Sequence, residues 1–342
     1  MEIDFVELNQ KLISALNQPK PPGLLYGKMG CCIYLFKLGR IMNKHDYTKK
    51  AEELLDTVYK ETTRYLPLDI ETGLIGTGLG IHYLMKEKHV GGNENSVLEE
   101  IDISVFKALS FIEQKPPLDM RIKIQLLYYL SIRYQIQKNG SDKEYIFREL
   151  IYNVLNSFSL LPGELWEEPY SFSIQYQLPF FLYSLGQIAE FEIFRPKVKK
   201  IVNEITPKVI SLVPVSHAHR LFQVLGMYNI NKTINQPTWN YHIQLLKREI
   251  DINHVLTNEL RDQDVFLLNG LTGILFLLST YNRMVDEDEK IFFDTDILRK
   301  KITSSTVWSK FREDNRYLQT NSNMNGFCGM ALSMLQLNKY GK

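Results

Sequence analysis

Residues 23–40, GLLYGKMGCCIYLFKLGR, place the pair Gly27-Lys28-Met29-Gly30 directly before an unbroken apolar run, and the pattern returns three times. Thr72-Gly73-Leu74-Ile75-Gly76, Asn269-Gly270-Leu271-Thr272-Gly273 and Asn325-Gly326-Phe327-Cys328-Gly329 each open another apolar segment. Glycine costs roughly 1 kcal/mol inside a helix relative to alanine, so its recurrence at helix entry calls for a reason: close approach of another chain segment, or positive φ. Four copies in the same phase predict a repeat.

Working outward, each apolar segment follows an amphipathic one, with a period of roughly 40 to 55 residues, a length at which helical repeats are found. In residues 51–66, AEELLDTVYKETTRYL, Leu54, Leu55, Val58 and Thr62 share one helical face while Glu53, Asp56 and Lys60 take the other. Residues 5–16 and segments near 96–114, 143–160, 194–212, 237–260 and 294–311 read the same way. The apolar helices are expected near 28–43, 76–88, 119–136, 170–188, 216–228, 270–282 and 326–339. A helix apolar on one stripe packs on one side, whereas one apolar all round must be enclosed. Alternating the two predicts an all-α fold, one domain over residues 1–342, with an inner ring of seven helices wrapped by an outer ring. The competing layout is an open α-solenoid. Glycine starts at both ends of the chain favour closure. Period-two alternation is scarce, so strands are not expected.

Composition narrows the function. The formal net charge of +1 provides no basic excess for nucleic acid. The first ten residues, MEIDFVELNQ, lack the basic start and apolar run of a secretory signal, and no stretch approaches eighteen uninterrupted apolar residues. The three cysteines form no disulfide framework. A soluble, cytoplasmic protein without a membrane partner is the expectation. Residues 76–80, Gly-Thr-Gly-Leu-Gly, have no strand before them, so dinucleotide binding is not expected.

The glycine starts, with 68–87 (LDIETGLIGTGLGIHYLMKE) and 90–102 (VGGNENSVLEEID), resemble the lanthionine synthetase C-like family, in a subgroup common in Bacteroidetes-type bacteria. The resemblance covers nearly the whole chain. It implies an α/α toroid of seven helical hairpins whose glycine motifs rim a central cavity. It also implies service to a ribosomally synthesised, modified peptide, with a precursor peptide as ligand and other peptide-maturation proteins as associates. Zinc members of the family close thioether rings on a metal held by one Cys before the sixth motif and an adjacent Cys-His before the seventh. Here those positions are Leu268 and Met324-Asn325. Leucine, methionine and asparagine do not make a catalytic zinc site. Neither a bound metal nor any cofactor is therefore expected, and catalysis is left open.

The expected ligand contacts lie at the helix starts: Tyr26, Lys28, Glu71, Thr72, Glu168, Tyr170, His217, Asn269 and Asn325. Backbone N–H groups there lack intrahelical partners, which would favour an anionic or carbonyl-bearing ligand. Asn269 and Asn325 have a capping alternative. His217 is either a remnant of the family's His-Gly-x-x-Gly histidine or an ordinary helix-entry histidine. Cys31 and Cys32 read as core; Cys328 reads as core or cavity border, with a rebuilt metal site using His217 or His219 as a further option. Carboxylates at Asp69, Glu71, Glu164, Glu167 and Glu168 suit helix caps. They also suit a carbohydrate-acting enzyme of the six-hairpin glycosidase kind, which would need two of them about 5 to 10 Å apart. A non-catalytic interaction scaffold is the third reading.

Overall fold

The computed structural model describes residues 5–16, 18–110 and 118–340. Every regular element among them is helical. In order these are α1 (Phe5–Ala15), α2 (Lys28–Met42), α3 (His45–Glu61), α4 (Leu74–Lys86), α5 (Glu94–Val97), α6 (Glu99–Ser110), α7 (Met120–Gln135), α8 (Asp142–Asn156) and α9 (Gln177–Ala189). Then follow α10 (Arg195–Ser211), α11 (His217–Ile234), α12 (Pro237–Arg248), α13 (Ile252–His254), α14 (Leu271–Asn282), α15 (Thr295–Ser304), α16 (Val307–Glu313), α17 (Asn315–Asn321) and α18 (Phe327–Tyr340). None of the described helices is long and apolar enough to cross a membrane.

The chain groups into two compact units, neither continuous in sequence: residues 1–104, 260–276 and 292–342, and residues 105–259 and 277–291. In the first, α2 packs on α3, α4 and α18, and α17 packs on α1, so the last hairpin abuts the first. In the second, α7, α9 and α11 lie side by side, with α8 on α7, α10 on α9 and α12 on α11.

Burial separates the two helix classes as the patterning predicts. From Lys28 to Phe36 every residue of α2 is buried, as is every residue of α4 from Leu74 to Ile81. Each such Leu, Ile or Phe contributes about 1.5–3 kcal/mol by leaving water. By contrast α3 fully buries only Ala51 and Val58, and α12 buries Trp239, His242, Ile243 and Leu246, one stripe at i, i+3, i+4, i+7.

Several boundaries differ from the sequence reading. The apolar helix expected from 170 begins at Gln177, where Pro179 falls in the first turn and needs no N–H partner. α11 runs on to Ile234 because its polar residues find partners, Asn229 Nδ2 donating to the Tyr183 carbonyl at 2.7 Å. The segment expected over 237–260 breaks after Arg248 and resumes at Ile252, Asp251 Oδ1 capping the His254 N–H. The one expected over 294–311 breaks at Ser305 and Thr306, whose hydroxyls bond Asp262. The 96–114 segment begins at Glu99; its residues 111–114 lie outside the described ones.

Candidate functional site

The four glycine starts all belong to the first unit and share one local construction. The first N–H of the helix donates to a carbonyl seven residues back: Lys28 to Pro21 (2.8 Å), Leu74 to Pro67 (2.8 Å) and Leu271 to Asp264 (2.9 Å). The next N–H repeats the step, Met29 to Pro22, Ile75 to Leu68 and Thr272 to Val265. α18 uses a variant in which Asn323 accepts from Gly326 and Cys328. The preceding loop is thus folded under its own helix. This corrects the expectation that these N–H groups are free to meet a ligand: the loop carbonyls have taken them.

The same construction explains the glycines. Gly27 and Gly73 have φ of −108° and −111°, ordinary extended values, so positive φ is not the reason. A Cβ on Gly73 would stand 2.0 Å from the Pro67 carbonyl oxygen, and one on Gly326 would stand 1.9 Å from that of Asn321. The carbonyl occupies the place of the side chain.

The loops are also tied to one another. Gly23 N donates to Thr72 O, Leu24 N to Ile70 O, and Leu25 N and Tyr26 N to Glu71 O, at 3.0–3.1 Å. On the other flank Asn325 N donates to Leu25 O, and Leu267 N to Asn325 O, both at 2.9 Å. Asn325 Oδ1 accepts from Leu268 N at 2.8 Å. The loops before α4, α2, α18 and α14 are therefore bonded in that order.

The expected contact residues divide between the units. In the first, Tyr26 is part-exposed, its phenol raised by burial and then by the Glu71 carboxylate. Glu71 is buried; Thr72 donates from N and Oγ1 to Asp69, which also accepts from Gly73 N, so Asp69 closes the loop ahead of α4. Lys28 Nζ is buried and paired with Glu61 at 2.5 Å. Asn269 is exposed, whereas Asn325 is the bracket just described. Leu268, Met324 and Asn325 offer a buried alkyl group, a thioether and an amide already bonded, which do not fit the zinc that the resemblance would place there.

Cys31, Cys32 and Cys328 are all buried. Cys31 Sγ donates to the Ser322 carbonyl at 3.2 Å, and the proximity of Cys31, with burial, pushes the Cys328 thiol well up.

In the second unit two carboxylates hold the start of α11. Glu168 accepts from His219 Nδ1 (2.9 Å), Val215 N (2.8 Å) and Ser216 N (3.0 Å). His219 is fully buried and its Nε2 accepts from Ser173 N at 3.1 Å, so both ring nitrogens are engaged and neither is available to Cys328. Burial raises the Glu168 pKa, but the bonds from His219, Val215 and Ser216 outweigh it and the net direction is down. Glu259 accepts from His217 N (2.6 Å), Ser216 Oγ (2.7 Å) and Ala218 N (3.1 Å). Tyr170 is fully exposed. His217 meets His254, ring centres 4.6 Å apart, a pairing that sequence reading missed because 36 residues and a helix break separate them.

Neither a family model nor a curated protein sequence matches the chain.

Proposed function

We propose that this chain is a lanthionine synthetase C-like α/α toroid of seven hairpins, without the family's zinc site, that binds a ribosomally synthesised peptide during its maturation. The observation that carries this reading is the order of the bonded glycine loops: second hairpin, first, seventh, sixth. Those are consecutive places on a ring and would be opposite ends of a solenoid. A second observation supports the alignment. Leu268 and Asn325, which the resemblance aligns with two of the family's ligands, are hydrogen-bonded neighbours. An amide-to-backbone bond here joins the two loops that zinc joins in the family's enzymes. The carbohydrate reading has less to stand on, because Asp69 and Glu168 are committed to backbone N–H groups.

With the helix-start N–H groups taken, the peptide is held by side chains at the loop rim, chiefly Tyr26 and Asn269. The test is fluorescence anisotropy with a labelled synthetic peptide rich in Ser, Thr and Cys, alongside a hexasaccharide. Saturable peptide binding is expected, weakened about tenfold, or ~1.4 kcal/mol, by a Tyr26→Ala, Asn269→Ala double variant. Asn269→Ala alone should leave stability within about 0.5 kcal/mol, as exposed positions do. Asn325→Ala, which orphans the Leu268 N–H, should cost about 2 kcal/mol. Hexasaccharide cleavage without peptide binding would overturn the reading in favour of the sugar enzyme.

A further inference from the structure

We propose that His217, His254 and Glu259 form a site for a divalent transition metal, zinc in the first instance, at the start of α11. One donor atom from each lies within 4.8 Å of the other two, and all three residues are half-buried. The site goes beyond the peptide reading and stands if that reading falls. It shares no residue with the positions where the family holds zinc.

Local geometry brings the set together. His254 ends α13, and the chain continues through a π-helical turn, Val255–Glu259. On an α-helix, residues five apart diverge by about 140°. The π-turn, which bonds i to i+5, returns Glu259 to the face of His254. Such turns are rare and often mark functional sites. His217, the first residue of α11, then stands across from both.

One donor is already held in place. Glu259 is fixed by Ser216 Oγ and the His217 and Ala218 amides, and of a carboxylate's roughly four acceptor sites one is left beyond those three bonds. His254 Nδ1 contacts Asn258 Nδ2 at 2.9 Å; turning that exposed amide over presents its oxygen to an Nδ1–H and frees Nε2. His217 Nδ1 accepts from the Asp251 amide at 3.0 Å, so the neutral ring carries its proton on Nε2. Metal at Nδ1 displaces that bond, leaves the proton on Nε2 and turns the exposed amide to water; metal at Nε2 needs the proton moved to Nδ1 through solvent, which opens the same bond. Two imidazoles and one carboxylate suit zinc, cobalt or copper rather than calcium or magnesium, which prefer oxygen ligands. Three protein ligands leave a fourth position for water.

The test uses the full chain, stripped by a chelator and desalted, then titrated with zinc against a chromophoric competitor and separately with cobalt(II). One equivalent should bind. Cobalt should show visible bands without the intense near-ultraviolet absorption of thiolate ligands, which keeps the result separate from Cys31, Cys32 and Cys328. His254→Ala, with unchanged circular dichroism, should lose about 100-fold in zinc affinity, at or beyond the loss from groups that only orient ligands. Absence of stoichiometric binding, a thiolate signature, or equal affinity in wild type and His254→Ala would overturn the site.

Discussion

Gly76→Ala should destabilise the protein by about 3 kcal/mol, at the upper end of what overpacking costs. Its Cβ would stand 2.0 Å from the Ile70 carbonyl oxygen and 2.7 Å from Leu24 N, so it strikes the backbone of two loops at once. A flexible side chain could swing aside; these carbonyl and amide groups are locked in the bonds that join the first and second hairpins. Gly326→Ala should behave alike, for the Asn321 carbonyl sits 1.9 Å from its Cβ position. Gly163 provides the control. Nothing lies within 4 Å of its Cβ position, so Gly163→Ala should be neutral or stabilise by about 0.5 kcal/mol through the unfolded chain. Urea midpoints for the three variants decide the matter. Equal, small effects at Gly76 and Gly163 would mean the loop is not folded under its helix.

The second large effect is expected at Glu168. Replacing it with alanine removes the partner of a fully buried His219 N–H and of the Ser216 amide, and leaves Val215 N, in an exposed residue, to water. Two orphaned donors at roughly 1–3 kcal/mol each put the loss at about 3 kcal/mol. Glu168→Gln keeps one acceptor oxygen and should lose about half as much. Acid should act like the mutation. The Glu168 pKa is lower in the folded chain than its ordinary 4.5, so the folded state holds this proton less tightly than the unfolded one. Its contribution is complete above about pH 4.5 and fades as pH falls through the folded value. Wild type and Glu168→Gln, melted from pH 7 down to pH 3, should therefore converge. A constant gap across that range would contradict the assignment.

These two positions also show how far the sequence could be read. The all-helical fold and the alternation of enclosed with one-sided helices were legible because burial class is written in side chains: α2 and α4 are buried throughout their first turns, and α12 along one stripe. The glycines were legible as a repeat but not as a mechanism. Close approach and positive φ leave the same mark on a sequence, and only the Pro67 and Asn321 carbonyls decide between them. The expectation of free helix-start N–H groups failed for a related reason: the partners are main-chain oxygens, which no residue type announces. Glu168 could be singled out as a helix-entry carboxylate, yet its bond to a histidine 51 residues away could not. His254 and Glu259 were hidden inside what reads as a single amphipathic helix over 237–260, since nothing in the side-chain pattern marks a π-turn.

Ring closure is tested most directly by lysine cross-linking of the native chain followed by mass spectrometry. Lys11 on α1 lies 5.2 Å from the ring centre of Phe311, the neighbour of Lys310 on α16. A Lys11–Lys310 link, bridging the first and last hairpins within single molecules, is the predicted result. Links confined to lysines of hairpins adjacent in sequence, with none between the first and last, would mean an open superhelix and would remove both the toroid and the family reading built on it.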